Sequence, residues 1–286
     1  MYTFSANINY KECAVNIFIN SEIDTKRFLF PTYFLNEEYS LDELKNNFTD
    51  ELFKIHNEKL LIIAKIKDNK SASIVYDKMN FLSSVGFKFM GTKILLQSDK
   101  REDVIEEQKN KLFKMVKENP ILNSFKHELC TIDDIEKDMP FIEDLLGQSF
   151  NDDFHGHYHA NKLLDKNKCR DIYVDWGLRL LRDNKTSKNF KITEISSDKI
   201  IGFSSGKLTD SYFEGDLILI DKQYKSKNLA KHNVLSFLQS DLYLKSDNIK
   251  YMTAVTQLTN LHSLALFTGC GFKIVSHEQI FHYTKI

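Results

Sequence analysis

The feature that most constrains this chain is a change of rhythm within "GDLILIDKQYKSKNLAKHNVLSFL", residues 215–238. The aliphatic run Leu217 to Ile220 reads as a buried strand. A loop with Lys222, Lys225 and Lys227 follows, and then Val234, Leu235, Leu238 and Leu242 fall at helical spacing. A strand therefore turns into a helix across a basic loop that contains no glycine.

The same alternation runs through the second half. "FKITEI" and "KIIGFSSGKL" predict a hairpin around Ser196, Ser197 and Asp198, and "IKYMTAVTQ" predicts a further strand. Thr259 or Asn260 is placed to cap a short helix carrying Leu261, Leu264, Ala265 and Thr268, which Gly269 and Gly271 end. "FKIVSHEQIFHYTKI" closes the chain with one or two strands. In the first half, "LLIIAKI" reads as a buried strand, and "SIVYDKMNFLSSVGFKFMGTKILLQ" as helix, stop at Gly86, and strand. Residues 101–118 carry Val104, Ile105, Leu112 and Val116 on one face and stop before Pro120, which predicts an amphipathic helix. Read as a bridge, that helix sets two domains, an amino-terminal α/β lobe over 1–120 and a second domain over 121–286. Strands alternating with helices imply an α/β layer structure. "VGFKF" and "CGFKI" each join a helix to a strand, either as a common joint or as the trace of a duplicated half.

Composition narrows the partners. A net charge of −1 gives no global basic field for DNA or RNA, so any anion site is local. Cys13, Cys130, Cys169 and Cys270 show no C-x-x-C spacing, which fits reduced thiols in a cytoplasmic protein. "MYTFSANINYKECAV" has no signal-peptide core, and "LLIIA" is too short to span a bilayer, so neither membrane nor secretion is expected.

The basic junction has a physical use. A helix start leaves unpaired N–H groups at the positive end of a dipole, which suits an anion such as a diphosphate. A solvated basic turn is the plainer reading of the same lysines. The histidine segment "SFNDDFHGHYHANKLLDKNKCRDIYVDWGLRLL" offers His155, His157 and His159, which an extended backbone would aim the same way. With Asp152 or Asp153 they could hold a metal, although solvent or substrate contact is the commoner use, and no metal is expected.

Two motifs carry a family likeness. Lys225, Ser226, Lys227, Asn228, Leu229 and Ala230 resemble the acetyl-CoA loop of the GNAT N-acetyltransferases, Arg/Gln-x-x-Gly-x-Gly/Ala, with Lys225 for Arg and Asn228 for the first Gly. Asparagine tolerates positive φ, so the turn can survive that exchange. "TQLTNLHSLALFTGCGFKI" resembles the later motif Asn-x-x-Ala-x-x-Leu-Tyr-x-x-x-Gly-Phe through Asn260, Leu264, Leu266, Gly271 and Phe272, with Phe267 at the Tyr position. The likeness implies a GNAT fold, a mixed and mostly antiparallel central sheet flanked by helices, plus the smaller amino-terminal lobe. It also implies acetyl-CoA as cofactor, with Asn260 and Phe267 along the coenzyme arm. A backbone N–H near Leu219 or Ile220 would polarise the thioester. Phe267 can pack but cannot donate a proton.

The histidine segment resembles the GNAT branch that acetylates amino sugars on dTDP carriers, the dTDP-fucosamine type. Tyr158, His159, Asn161 and Lys162 match an aromatic-His-x-Asp-Pro element, and Tyr173 and Trp176 match Tyr-x-x-Trp. Trp176 equally suits a helix-face core position. Asp24, Phe28 and Phe30 resemble that branch's entry segment. The implied acceptor is a dTDP-linked 3-amino- or 4-amino-6-deoxyhexose for surface polysaccharide, with a homodimer as in relatives. Arg27, Lys162 and Arg170 are then candidates for its diphosphate, and Tyr158 or Phe28 for its base. His155, His157 or His159 are the candidate proton acceptors. Acetylation of a peptide or polyamine, non-catalytic acyl-CoA binding and a metal-binding module are the alternatives.

Overall fold

The computed structural model describes residues 17–55, 58–68, 71–151, 154, 156–183 and 187–286. Packing divides the chain into two compact units, Met1–Ile66 with Lys70–Phe89 and Ile280–Ile286, and Lys67–Asn69 with Met90–Gln279.

The first unit is built from β1 (Phe18–Asn20), α1 (Glu22–Phe28), β2 (Thr32–Leu35), α2 (Leu41–Lys54), β3 (Leu60–Lys67), α3 (Ala72–Ser84) and the first residues of β4 (Lys88–Asp99). β1 pairs antiparallel with β2, and β2 runs parallel to β3 through Thr32↔Leu61, Tyr33↔Ile62 and Phe34↔Ile63. Leu60 to Ala64 are all buried, as the unbroken apolar run requires of a strand covered on both faces. Phe48 of α2 anchors the core, edge-on to Phe18 at 5.5 Å and to Phe81 at 5.9 Å. Gly86, at φ 97°, ends α3 in a conformation that costs other residues free energy.

The second unit continues β4 and adds α4 (Glu102–Glu118), a 3-10 turn (Pro120–Ser124), β5 (Phe125–Leu129), α5 (Ile132–Lys137), α6 (Met139–Ser149), α7 (His157–Ala160) and α8 (Lys166–Arg182). Then come β6 (Ser187–Glu194), β7 (Lys199–Leu208), β8 (Tyr212–Ile220), a 3-10 turn (Lys222–Lys227), α9 (Leu229–Leu238), α10 (Asp241–Leu244), β9 (Tyr251–Gln257), α11 (Leu261–Gly269) and β10 (Lys273–Lys285). Its strands lie in the order β10-β4-β9-β8-β7-β6-β5. β4 with β9, β5 with β6, β6 with β7 and β7 with β8 pair antiparallel, whereas β8 and β9 run parallel. On one face α5, α6 and α8 cover Phe203, Leu217 and Leu219. On the other, α4, α9, α10 and α11 cover Ile94, Leu96, Phe213 and Ala254, with Ile192, Ile201 and Ile220 beside them.

Two expectations change. The helix expected to run through Leu242 breaks at Gln239, and Ser240 caps α10 by accepting from Tyr243 N–H. The carboxyl end forms one strand, β10, within the one or two expected. The packing division also falls elsewhere than near 120. Helix α4 belongs with the second unit because Leu112 and Met115 join its core, while the returning tail Ile280–Ile286 belongs with the first.

A candidate active site where parallel strands part

β8 and β9 pair only through Tyr212↔Tyr251, Phe213↔Met252, Glu214↔Thr253 and Gly215↔Ala254. Among the described residues no β8–β9 pair lies beyond that point. Yet β8 continues to Ile220 along β7, and β9 continues to Gln257 along β4. Each strand is held by its outer neighbour while the inner partners separate. The result is a wedge at the carboxyl end of a parallel pair, where α/β sheets commonly bind ligands.

A bulge sits at the apex. Ser205 pairs with Leu217 and Gly206 with Gly215, so Asp216 is the extra residue on β8. Bulges add local twist and re-aim side chains, which suits a strand leaving its partner. A Cβ on Gly215 would point at Met252 on the α9 side, 2.6 Å from its methyl carbon. Alternation then places Asp216 on the α6/α8 face, and the bulge keeps Leu217 there as well. Asp216 is half-buried, and its Oδ2 is shielded from solvent.

Main-chain direction selects between the two expected N–H donors. Asp221 N–H donates to Ile201 O at 2.8 Å, which fixes the alternation along β8. Residues 217, 219 and 221 aim N–H at β7, whereas Ile218 and Ile220 aim theirs toward the wedge. Leu219 is therefore spent on the ladder, and Ile220 is the available donor of the two. On β9, Leu258 N–H donates to Thr92 O at 2.8 Å, so Val255 and Gln257 face the wedge by the same reasoning.

Beyond β8 the chain makes the expected basic junction. Asp221 opens the 3-10 turn by accepting from Gln223 N–H at 2.9 Å. Tyr224 is buried, and Lys227 and Lys199 lie over its ring at 4.6 and 5.5 Å. Lys227 is thus engaged by the ring, while Lys225 is exposed; the side chain of Ser226 lies outside what the structure describes. Asn228 takes φ 60°, ψ 16°, the left-handed conformation that glycine would otherwise supply. No side chain caps α9, so the N–H groups of Leu229 and Ala230 open its first turn uncapped. This arrangement fits an anion. Leu229 itself is fully buried.

Asn260 caps α11, its Oδ1 accepting from Ser263 N–H at 3.1 Å. Phe267 is 7% exposed and packs edge-on against Phe272 at 5.2 Å, within the α9-side core.

The histidines are not arranged as an extended strand would place them. His155, Asp152 and Asp153 lie outside the described residues. His157–Ala160 forms one helical turn, and two residues at about 100° each send His157 and His159 to opposite sides. His157 is buried with its ring 4.1 Å from that of Tyr158. His159 stacks on Tyr173 at 5.6 Å and meets Phe154 edge-on. Phe150 touches both Tyr173 and Trp176, so these rings form one nest against the α6/α8 core. Gly156 is required there, because a Cβ would lie 2.2 Å from the Tyr173 hydroxyl. Asn161 is buried and accepts from Leu163 N–H at 3.1 Å. Lys162 and Arg170 are exposed, Arg170 being 3.8 Å from Asp171. Among the described residues no group of three His, Cys, Asp or Glu could hold a metal.

Asp24, Arg27 and Phe28 belong to the first unit. Asp24 accepts from Ser21 Oγ at 2.8 Å and lies 3.6 Å from Arg27, while Phe28 stacks on Phe30 at 5.8 Å. Asp216 was not foreseen. Its signal was an acid opening the buried run "DLILI".

No protein-family profile and no curated protein matches the chain. Solved structures do. A GCN5-related N-acetyltransferase from Sphaerobacter thermophilus is similar over 90% of this chain and 74% of its own, at TM-score 0.54 and 7% identity. One from Kribbella flavida is similar over 95% and 88%, at 0.51 and 7%. A tandem GNAT protein from the clavulanic acid biosynthesis pathway covers 89% and 75%, at 0.51 and 9%. The mixed sheet flanked by helices is thus that of a GNAT fold. No helix among the described residues is long and apolar enough to cross a membrane.

Proposed function

We propose that this chain transfers an acetyl group from acetyl-CoA to a primary amine. The parting of β8 from β9 beyond Gly215↔Ala254 carries that reading, because it opens main-chain N–H groups beside an uncapped helix start. The first turn of α9, entered through Asn228, receives the coenzyme diphosphate, with Lys225 alongside. Ile220 N–H, or Ile218 N–H one pleat earlier, donates to the thioester carbonyl oxygen and holds the charge that develops there. Acetyl-CoA supplies a thioester whose carbon is open to attack by nitrogen.

Asp216 completes the chemistry. A carboxylate at the apex attracts an ammonium group and accepts its proton as the nitrogen lone pair forms the C–N bond. It takes the role in place of His157 and His159, which pack against aromatic rings. Phe267 offers no proton, so water protonates the departing thiolate.

The narrower acceptor is a dTDP-linked amino-deoxyhexose. Support comes from the likeness at Tyr158, His159, Asn161, Tyr173 and Trp176, with Lys162 and Arg170 exposed on the same segment. A thiol-release assay with dTDP-linked 3-amino and 4-amino 6-deoxyhexoses, beside polyamines and peptides, tests it. Release with a sugar nucleotide supports the narrow reading, and release with polyamine alone replaces it. CoA binding with no release across the panel would make the protein a non-catalytic acyl-CoA binder.

A further inference from the structure

A second polar cluster lies outside the wedge. His127, on edge strand β5, sits with Nε2 2.8 Å from His232 Nδ1, and its own Nδ1 is 2.9 Å from Asn233 Oδ1. The ring centroids are 4.8 Å apart. His232 and Asn233 are buried on α9, and His127 is half-buried.

This chain of contacts limits where protons can sit. If Asn233 Oδ1 accepts from His127 Nδ1–H, then His127 Nε2 accepts from His232 Nδ1–H, and His232 Nε2 is left bare. One more proton can enter at that nitrogen with both bonds kept. A second would set two N–H groups against each other across 2.8 Å and break the inter-ring bond. The pair is built to hold an extra proton or none.

The charged groups around it are engaged elsewhere. On β5, Lys126 lies 3.3 Å from both Glu128 and Asp198. On β6, Lys191 pairs with Asp134, and on α4, Lys111 pairs with Glu107 and Lys114 with Glu118. Lys231 of α9 extends toward Gly269 of α11, and Lys227 and Lys199 lie over Tyr224. Burial lowers the pKa of both rings; for His127 the neighbouring His232 lowers it further, Asn233 opposes, and the result is about 4. The positive pole of α9 likewise disfavours the proton.

We propose that His127 and His232 are positioning residues for the coenzyme loop, and that a diphosphate on the first turn of α9 draws one proton onto the pair. This rests on the coenzyme reading above. His232 N–H donates to Asn228 O at 2.9 Å, so the histidine and the left-handed residue belong to one turn. Negative charge at that turn offsets the pole that disfavours the proton. By linkage, coenzyme affinity rises as pH falls through the pair's titration. At an effective dielectric of about 30 and a separation of ~8 Å, the gain is about tenfold.

Calorimetric titration of CoA at pH 5, in two buffers of different ionisation heat, counts the protons taken up. The wild type should take up roughly half a proton more than His127→Gln or the His127→Gln/His232→Gln double variant. The coenzyme's own phosphate titration cancels in that difference. An equal proton count in all three proteins overturns the inference. Nitrogen-15 spectra of the rings, recorded without coenzyme, separate the two ways of failing. A pair that takes one proton with its inter-ring bond kept, in a protein that binds no CoA, condemns the coenzyme reading and this inference with it. Rings that titrate independently, in a protein that does bind CoA, overturn the pairing alone.

Discussion

The chain contains the same crossover twice, with opposite finish. In the first unit β2, α2 and β3 form a parallel strand-helix-strand unit, and in the second β8, α9 and β9 form another. β2 pairs with β3 over three of its four residues, whereas β8 pairs with β9 over only four of nine. Helix α2 is sealed by a capping box: Glu43 accepts from Ser40 N–H at 2.7 Å, and Ser40 Oγ accepts from Glu43 N–H. Those bonds from Ser40 hold the Glu43 carboxyl below its usual range. Helix α9 begins instead at a left-handed Asn228 with no side-chain cap. Where the helix start is satisfied internally the crossover is structure only; where it is left open, it can hold an anion.

The largest expected effect comes from closing the open end with charge. Asn228→Glu sets a carboxylate where the diphosphate belongs and forces a less tolerant residue into positive φ, so CoA affinity should fall by about 100-fold or more. Titration calorimetry reads it, and unchanged affinity would discard the loop assignment. Next is Asp216→Asn, which should lower kcat about 100- to 1000-fold with CoA affinity unchanged, and Asp216→Glu should recover part of it. Wild-type turnover in Asp216→Asn would remove that residue from the chemistry.

A graft sharpens the comparison further. Asn228→Ser with Lys231→Glu writes the α2 capping box onto α9. Serine is strained at φ 60° and a capping box needs an extended first residue, so the two effects offset: urea stability should change by no more than about 1 kcal/mol while CoA binding weakens about tenfold. A gain in stability with no loss of affinity would separate capping from binding.

The pH response is the gentlest probe. His127 and His282 have folded pKa values depressed to about 4 and about 3, both mainly by burial, so the unfolded chain binds more protons below its own histidine pKa of about 6.5. Stability is therefore full above pH 6.5 and falls as pH drops toward 4, His127 contributing about 2–3 kcal/mol of the loss. Urea midpoints at pH 7.5, 5.5 and 4.5 should decline in that order, and the His127→Gln variant should decline less.

Much of this contrast could be read from sequence, because its parts are local. The run Leu217 to Ile220, the helix after it and the cap at Asn260 all follow from period and residue type. So did the positive φ of Asn228, since asparagine stood where a glycine was needed. The parting of β8 and β9 was not legible, because it depends on which distant strands claim each outer edge. The bulge that places Asp216 is set by its partner β7, although one acid in a buried run was a fair hint. His157 and His159 were misread through a wrong period, two for extended backbone where the chain makes a helical turn. The packing division escaped notice because the last seven residues return to the first unit.

Amide hydrogen exchange of the intact chain with and without CoA tests the central claim most directly. Coenzyme should slow exchange at Ile218, Ile220 and residues 229–231, and leave residues 41–44 at the start of α2 unchanged. Protection at α2 instead, or none at the start of α9 under saturating CoA, would contradict the account.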